Sequence, residues 1–136
     1  MKEVNYESDK FEILDIGKYK GRDYVILYIG SHPCAYVECD IDYCKECNNP
    51  NYDEPAHCGF TFYSSLSHWE KKVYLDEETK QFFDKYFIGW DYAHLGDYTK
   101  FKIFKCDKKW TTEEILENVK EVIEWLRKKE YKATGV

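Results

Sequence analysis

The amphipathic segment near the carboxyl end of the chain most constrains the fold. Thr111-Thr112-Glu113-Glu114 has the pattern of a capping box, in which a hydroxyl and a later glutamate bind the exposed N–H groups of a helix start. Apolar residues then recur every three or four positions to about Lys129: Ile115, Leu116, Val119, Val122, Ile123 and Leu126. We predict a helix whose single apolar stripe covers one face of a sheet.

The preceding residues supply that sheet. Short runs of β-branched and aromatic residues, bounded by turn formers, predict strands. These runs are residues 11–16, 24–29, 35–39, 57–63 and 86–91. The first two form a hairpin across residues 17–21, and the third pairs antiparallel with the second. Residues near 77–85, with acidic side chains in the first turn, predict a short helix.

Residues 57–63 alternate between apolar and polar side chains, as a half-buried strand does. The alternation points three side chains to the core: Cys58, Phe60 and Phe62. His57 and Thr61 then lie on the opposite face of the sheet. If Ile88 and Trp90 face the core, Gly89 and Asp91 share the face of His57, and Gly89 leaves room above it.

These elements predict an α+β fold in one domain, residues 1–136, with an antiparallel sheet of about five strands covered on one face by the terminal helix. The length of 136 residues and the 43% of hydrophobic residues suffice for one core. Residues 40–56 form a long loop rich in Asn, Asp and Pro, and a loop of this length is usually functional or needs an internal staple.

Charge and hydropathy exclude several classes of function. The net charge of -6 disfavours nonspecific nucleic-acid binding, which needs a basic surface. No apolar run approaches the ~20 residues that span a bilayer, and the amino terminus lacks a signal-peptide core. We therefore expect a cytoplasmic protein without a membrane partner and with reduced cysteines. We expect no nucleotide cofactor, since no phosphate-binding glycine loop or dinucleotide fingerprint is present.

The segment from Gly89 to Tyr98 carries Asp91, His94 and Asp97 three residues apart, a spacing that brings side chains together on a turn. With His57 they make two imidazoles and two carboxylates. This set suits Zn²⁺, Mn²⁺ or Fe²⁺, which would activate a water molecule as a nucleophile.

Two other interpretations of this set stay open. Without a metal, His57 and His94 would act as general base and general acid, with Asp91 or Asp97 orienting an imidazole. Alternatively, His94 and Asp97 only cap a loop.

Substrate-binding candidates surround the same segment. Thr61, Tyr63 and Tyr98 would position the substrate. Five aromatic side chains would offer a stacking surface for a base or sugar ring, or would only fill the core. They are Tyr36, Tyr63, Trp90, Tyr92 and Tyr98.

The cysteines of the long loop suggest a second, competing site. Cys44 and Cys47 have knuckle spacing, and Cys39 and Cys58 flank them, so the four could hold a structural zinc. Unligated thiols and redox chemistry are the alternatives. A zinc knuckle that captured His57 would remove it from the histidine and aspartate site.

Three segments together resemble a family of small, uncharacterised proteins of phage and prophage genomes. They are Gly30-Ser31-His32-Pro33-Cys34-Ala35-Tyr36-Val37, His57-Cys58-Gly59-Phe60-Thr61-Phe62 and Gly89-Trp90-Asp91-Tyr92-Ala93-His94-Leu95-Gly96-Asp97-Tyr98. The family has His-Gly-Gly where this chain has His57-Cys58-Gly59, and its central loop lacks these cysteines. The resemblance implies a phage context and a shared site, without a reaction.

The leading hypothesis is a metal-assisted hydrolase of a small phosphorylated or nucleotide-like substrate, located in the host cytoplasm if phage-encoded. The alternative is a noncatalytic counter-defence protein that binds a nucleotide signal or a host defence protein. Tyrosine is well suited to such interfaces.

Overall fold

The computed structural model describes residues 1–46, 49–67, 69, 76–101 and 107–133. Its centre is one antiparallel sheet with the strand order β1-β2-β3-β5-β4. The strands are β1 Phe11–Tyr19, β2 Arg22–Ile29, β3 Pro33–Glu38, β4 Phe62–Ser65 and β5 Tyr86–Asp91, and the helices are α1 Glu77–Phe83 and α2 Thr112–Ala133. The prediction of an α+β fold with five strands and a covering terminal helix is confirmed.

The first hairpin is longer than the sequence predicted. β1 and β2 pair up to Tyr19 and Arg22, so only two residues form the turn. Lys20 and Gly21 have φ of 47° and 82°, the left-handed geometry that two-residue hairpin turns require. Gly17 lies within β1, where a Cβ atom would come 2.9 Å from the hydroxyl of Tyr24. The glycine therefore makes room for a neighbouring ring and does not end the strand.

α2 covers one face of the sheet as its apolar stripe predicts. Five of its apolar side chains are fully buried: Ile115, Val119, Val122, Ile123 and Leu126. They pack in one cluster with sheet residues such as Ile26, Val37 and Ile88. The capping box is also present, because Thr111 N donates to Glu114 Oε1 and Glu114 N donates to Thr111 Oγ1.

The opposite face of the sheet has a second, smaller core of its own. It contains Val25, Leu27, Cys34, Tyr36, Leu66, Phe83 and Phe87. Phe83 comes from α1, whose first turn is capped by the Asp76 side chain accepting from Thr79 N. Gly89 lies on this face, and a Cβ atom there would be 2.5 Å from the Tyr36 ring. The space above Gly89 is thus filled by Tyr36, where the sequence suggested an open position.

The predicted strand over residues 57–63 is wrong in its first half. β4 begins only at Phe62, and Cys58 and Gly59 have φ of 57° and 89°. Left-handed residues turn the chain, so the alternation of faces does not apply across them. As a result Phe60 packs in the cluster under α2 while Phe62 packs on the other face, and Cys58 is exposed.

The long loop over residues 40–56 is held by aromatic packing. The Tyr43 and Tyr52 rings lie edge-on to Trp125 of α2 at 5.3 and 5.4 Å. The Tyr63 hydroxyl donates to the carbonyl of Asp40 at 2.8 Å, fastening the start of the loop to β4. These contacts supply the staple that a loop of this length needs.

Candidate active site

The candidate site lies where β5 ends and the chain turns through residues 92–98. β3 runs antiparallel to β5 and pairs Cys34 with Asp91, so the turn before β3 lies beside the exit from β5. The turn that holds His57 and the segment before α2 close the site from the α2 side. Four separate segments of the chain thus meet at one end of the sheet.

Asp97 and His57 form the best-defined contact of the site. His57 Nε2 is 2.7 Å from Asp97 Oδ2 and 3.0 Å from Oδ1. Asp97 is only 3% exposed, and it also accepts from Trp110 Nε1 at 2.9 Å and from His94 N at 3.0 Å. Burial by itself raises the pKa of this carboxyl, but the hydrogen bonds outweigh it and hold the pKa below 3.8. Asp97 is therefore ionised at neutral pH, with its acceptor positions occupied.

Packing fixes the His57 ring in its orientation. It stacks on Tyr92 with ring centroids 4.8 Å apart and planes 4° apart, and Trp110 lies at 4.8 Å on another side. The His57 N–H donates to Asn118 Oδ1 of α2 at 3.0 Å. Since a carboxylate only accepts, His57 Nε2 carries the proton, and Nδ1 is the basic nitrogen of the neutral ring.

A second pair of imidazole and carboxylate lies next to the first. His94 Nε2 is 3.3 Å from Asp91 Oδ1, and the His94 ring is edge-on to His57 at 5.9 Å. Thr61 Oγ1 donates to Asp91 Oδ2 at 3.3 Å, and Ala93 N donates to Oδ1 at 3.1 Å. The structure thus brings together the four residues that the sequence singled out, and Thr61 with them.

His32 is a member of the cluster that sequence reasoning missed. Its Nδ1 is hydrogen-bonded to Ser31 Oγ at 2.7 Å. The pKa of His32 is lowered, because the effect of burial is larger than the opposite effect of the Asp91 and Asp97 carboxylates, which raise it. The sequence predicted only the pairing of the third strand with the second. A pairing of β3 with β5 would have revealed His32, because it sets the turn before β3 beside the end of β5.

The two tyrosines predicted to bind substrate differ in position. Tyr63 directs its hydroxyl to Asp40 and packs on Tyr86 at 5.3 Å, toward the other end of β4. Tyr98 packs edge-on to Tyr6 at 5.4 Å, with Lys109 Nζ 4.6 Å from its ring centroid. Tyr98 belongs to the turn that carries Asp97, so it lies nearer the site than Tyr63.

Cys58 is exposed beside the site, with its sulfur 3.7 Å from His57 Nε2. Local burial and then the charges of Asp97 and Asp91 raise the pKa of the thiol. Because His57 Nε2 is already bound to Asp97, the geometry differs from that of a cysteine nucleophile with a histidine base. Cys58 remains a thiol at neutral pH.

The structure describes only some of the cysteines of the predicted zinc knuckle. Cys39 is buried and donates to the carbonyl of Ile41 at 3.4 Å, and Cys44 is half-buried. Cys47 lies outside the described residues. Within the described part of the chain, no group of three or more His, Cys, Asp or Glu side chains could hold a metal ion. The zinc knuckle and a catalytic metal both remain predictions.

No family model, curated protein or solved structure matches this chain. The resemblance to phage and prophage proteins therefore keeps the status of a sequence-based hypothesis. Among the described helices, none combines the length and apolar character needed to cross a membrane.

Proposed function

We propose that this protein is a hydrolase that uses paired imidazoles as base and acid on a small phosphorylated or nucleotide-like substrate. The contact between His57 and the buried, ionised Asp97, at 2.7 Å, carries the proposal. A carboxylate in this position holds one tautomer of the ring and stabilises the imidazolium that forms when the ring takes a proton.

The proposed roles follow from the environment of each ring. His57 Nδ1 takes a proton from water while the water oxygen bonds to phosphorus. The bond from phosphorus to the leaving oxygen breaks, and protonated His94 gives that oxygen a proton. The ring centroids are 5.9 Å apart, so both imidazoles would reach one phosphoryl group.

Cations close to the site support an anionic substrate. Lys108 Nζ lies 3.8 Å from the centroid of the Trp110 ring, which itself contacts His57. Lys108 pairs with Glu114, whereas the contact of Lys109 in the described part of the chain is with the Tyr98 ring. Lys109 is therefore the better candidate to attract a phosphate from solution.

A metal ion would add a Lewis acid to this chemistry, but Asp97 is poorly suited to bind it. Its two oxygens already accept from His57, Trp110 and the His94 N–H. A carboxylate has about four acceptor positions, and a metal would displace one of these donors. We therefore propose that Asp97 orients His57, and that any metal would use other ligands.

The test is turnover of nitrophenyl phosphate mono- and diesters, nucleoside triphosphates and cyclic dinucleotides. It compares the purified protein with His57→Gln, His94→Gln and the exposed control Glu113→Gln. We expect each histidine variant to lose at least about 100-fold in kcat, as general acid and base groups do, and the control to be unchanged. Undiminished turnover in both histidine variants would overturn the proposal.

Two further experiments test for a metal ion and for the noncatalytic alternative. Elemental analysis of the wild type, His94→Ala and Cys44→Ala, with assays in chelator and in added Zn²⁺, Mn²⁺ or Fe²⁺, assigns any metal to one of the two sites. A nucleotide that binds and is recovered intact after denaturation would identify the noncatalytic alternative instead.

A further inference from the structure

A small cleft lies beside Asp91 on the sheet face opposite α2. Its volume is about 170 Å³. A cavity of about 150 Å³ is known to hold one benzene ring, and whole ligands of drug size need roughly 300 Å³ or more. The cleft is therefore about the size of a single six-membered ring.

Part of the wall of the cleft is apolar. It includes Ile29, Tyr36 and Phe62. The Tyr36 and Phe62 rings pack edge-to-face, with centroids 5.1 Å apart and planes 78° apart. Tyr36 is further held because it lies directly over Gly89. A flat ring in the cleft would pack against these aromatic side chains.

One end of the cleft is polar, and its hydrogen-bonding groups determine which edge of a bound ring can face it. His32, Thr61 and Asp91 line this end. The Asp91 carboxylate accepts from the Thr61 hydroxyl and from Ala93 N, and His94 Nε2 lies 3.3 Å from Oδ1. A carboxylate has roughly four acceptor positions, so Asp91 retains acceptor capacity for a donor on a ligand. His32 Nδ1 is bound to Ser31, and His32 Nε2 is the ring nitrogen that a ligand would meet.

We propose that this cleft binds the base of the substrate, and that this base is a single aminopyrimidine ring of the cytosine kind. A carboxylate requires a donor, and an exocyclic amino group of cytosine is a known partner for Asp. A uracil ring bound in the same orientation would set its O4 carbonyl, in place of the amino group, against the carboxylate. The inference rests on the proposed function, since the ring belongs to the substrate that His57 and His94 would cleave.

The test measures binding without turnover. Cytosine, uracil and adenine are titrated separately into ¹⁵N-labelled protein while the amide signals of Thr61 and Asp91 are followed by NMR. We expect cytosine to bind at least tenfold more tightly than uracil or adenine. Equal affinity for cytosine and uracil, or shifts that leave Thr61 and Asp91 unaffected, would overturn the inference.

Variants then assign the contact and separate the two proposals. Asp91→Asn should reduce cytosine binding to the level of uracil, while the exposed control Asp9→Asn should leave it unchanged. Thermal unfolding shows whether Asp91→Asn is folded. If it is not, the difference in affinity between cytosine and uracil for the wild-type protein still tests the inference. His57→Gln should keep cytosine binding and lose turnover, so failure of hydrolysis and failure of ring binding are distinguished.

Discussion

At the scale of single residues, Asp97 is the side chain on which the polar contacts of the site converge. It is buried, ionised and bound by His57, Trp110 and the backbone of His94. This one carboxylate both fixes the turn after β5 and determines which nitrogen of His57 carries a proton. Asp97 thus accepts from the His94 N–H, as a loop cap would, and its contact to His57 is the basis of the proposed chemical role.

We predict that Asp97→Asn changes the tautomer of His57. The asparagine amide can donate to His57 Nε2, which would move the ring proton to Nδ1 and remove the proposed base. The ¹⁵N shifts of the His57 imidazole should show this exchange, and turnover should fall about 100-fold or more at neutral pH.

The exposed variant Asp9→Asn is the control for this change in charge. If Asp97 were only structural, Asp97→Asn would be less stable than the wild type but the His57 imidazole signals would not shift. In that event the assignment of His57 as a base would be lost.

At the scale of elements, α2 does more than cover the sheet, because Asn118 ties it to the candidate site. The Asn118 side chain accepts from His57 N at 3.0 Å and from the Tyr92 hydroxyl at 2.9 Å, and donates to the Pro55 carbonyl at 2.8 Å. The Tyr92 hydroxyl in turn accepts from Trp90 Nε1 at 3.0 Å. One amide therefore positions the His57 turn, the end of β5 and the helix relative to one another.

We predict that Asn118→Ala lowers the free energy of unfolding by about 2–3 kcal/mol, because it leaves several partly buried polar groups without partners. Chemical denaturation measures the change. Hydrogen exchange of the amides of residues 56–60 should accelerate. The control is Glu121→Ala, an exposed position on the same helix. An equal stability of the two variants would show that Asn118 does not anchor the turn.

At the scale of the whole molecule, two buried carboxylates link folding to pH. Burial raises the pKa of Asp23, but Lys85 at 2.6 Å and Lys18 at 3.1 Å outweigh it, and the pKa is lowered from 3.8. Asp97 behaves in the same way at the other end of the sheet. A carboxylate with a depressed pKa contributes stability above its unfolded pKa and loses it as the pH falls through the folded one.

We predict that the free energy of unfolding is nearly constant from pH 7 to about pH 5 and falls steeply below about pH 4. Urea denaturation at a series of pH values measures this profile. Asp23→Asn should lower stability at pH 7 and flatten the fall at acid pH, since its proton uptake is removed. If the free energy of unfolding of this variant fell with pH as steeply as that of the wild type, Asp23 would not account for the acid destabilisation.

The sequence by itself determined the elements whose signals are local. The capping box and the apolar stripe predicted α2, and runs of β-branched and aromatic residues predicted β1, β2, β3 and β5. Together these elements predicted an α+β fold in which a helix packs on a sheet. The spacing of Asp91, His94 and Asp97 also indicated a site, because their proximity depends only on one turn of the chain.

Only the tertiary structure decided how that site is built. The left-handed Cys58 and Gly59 break the alternation that the sequence shows, so His57 meets Asp97 from a turn and not from a strand. His32, Trp110 and Asn118 join from segments that are far apart in the chain, where no local pattern marks them. Their positions depend on strand order and on helix packing, which are set by the burial of the whole apolar surface at once.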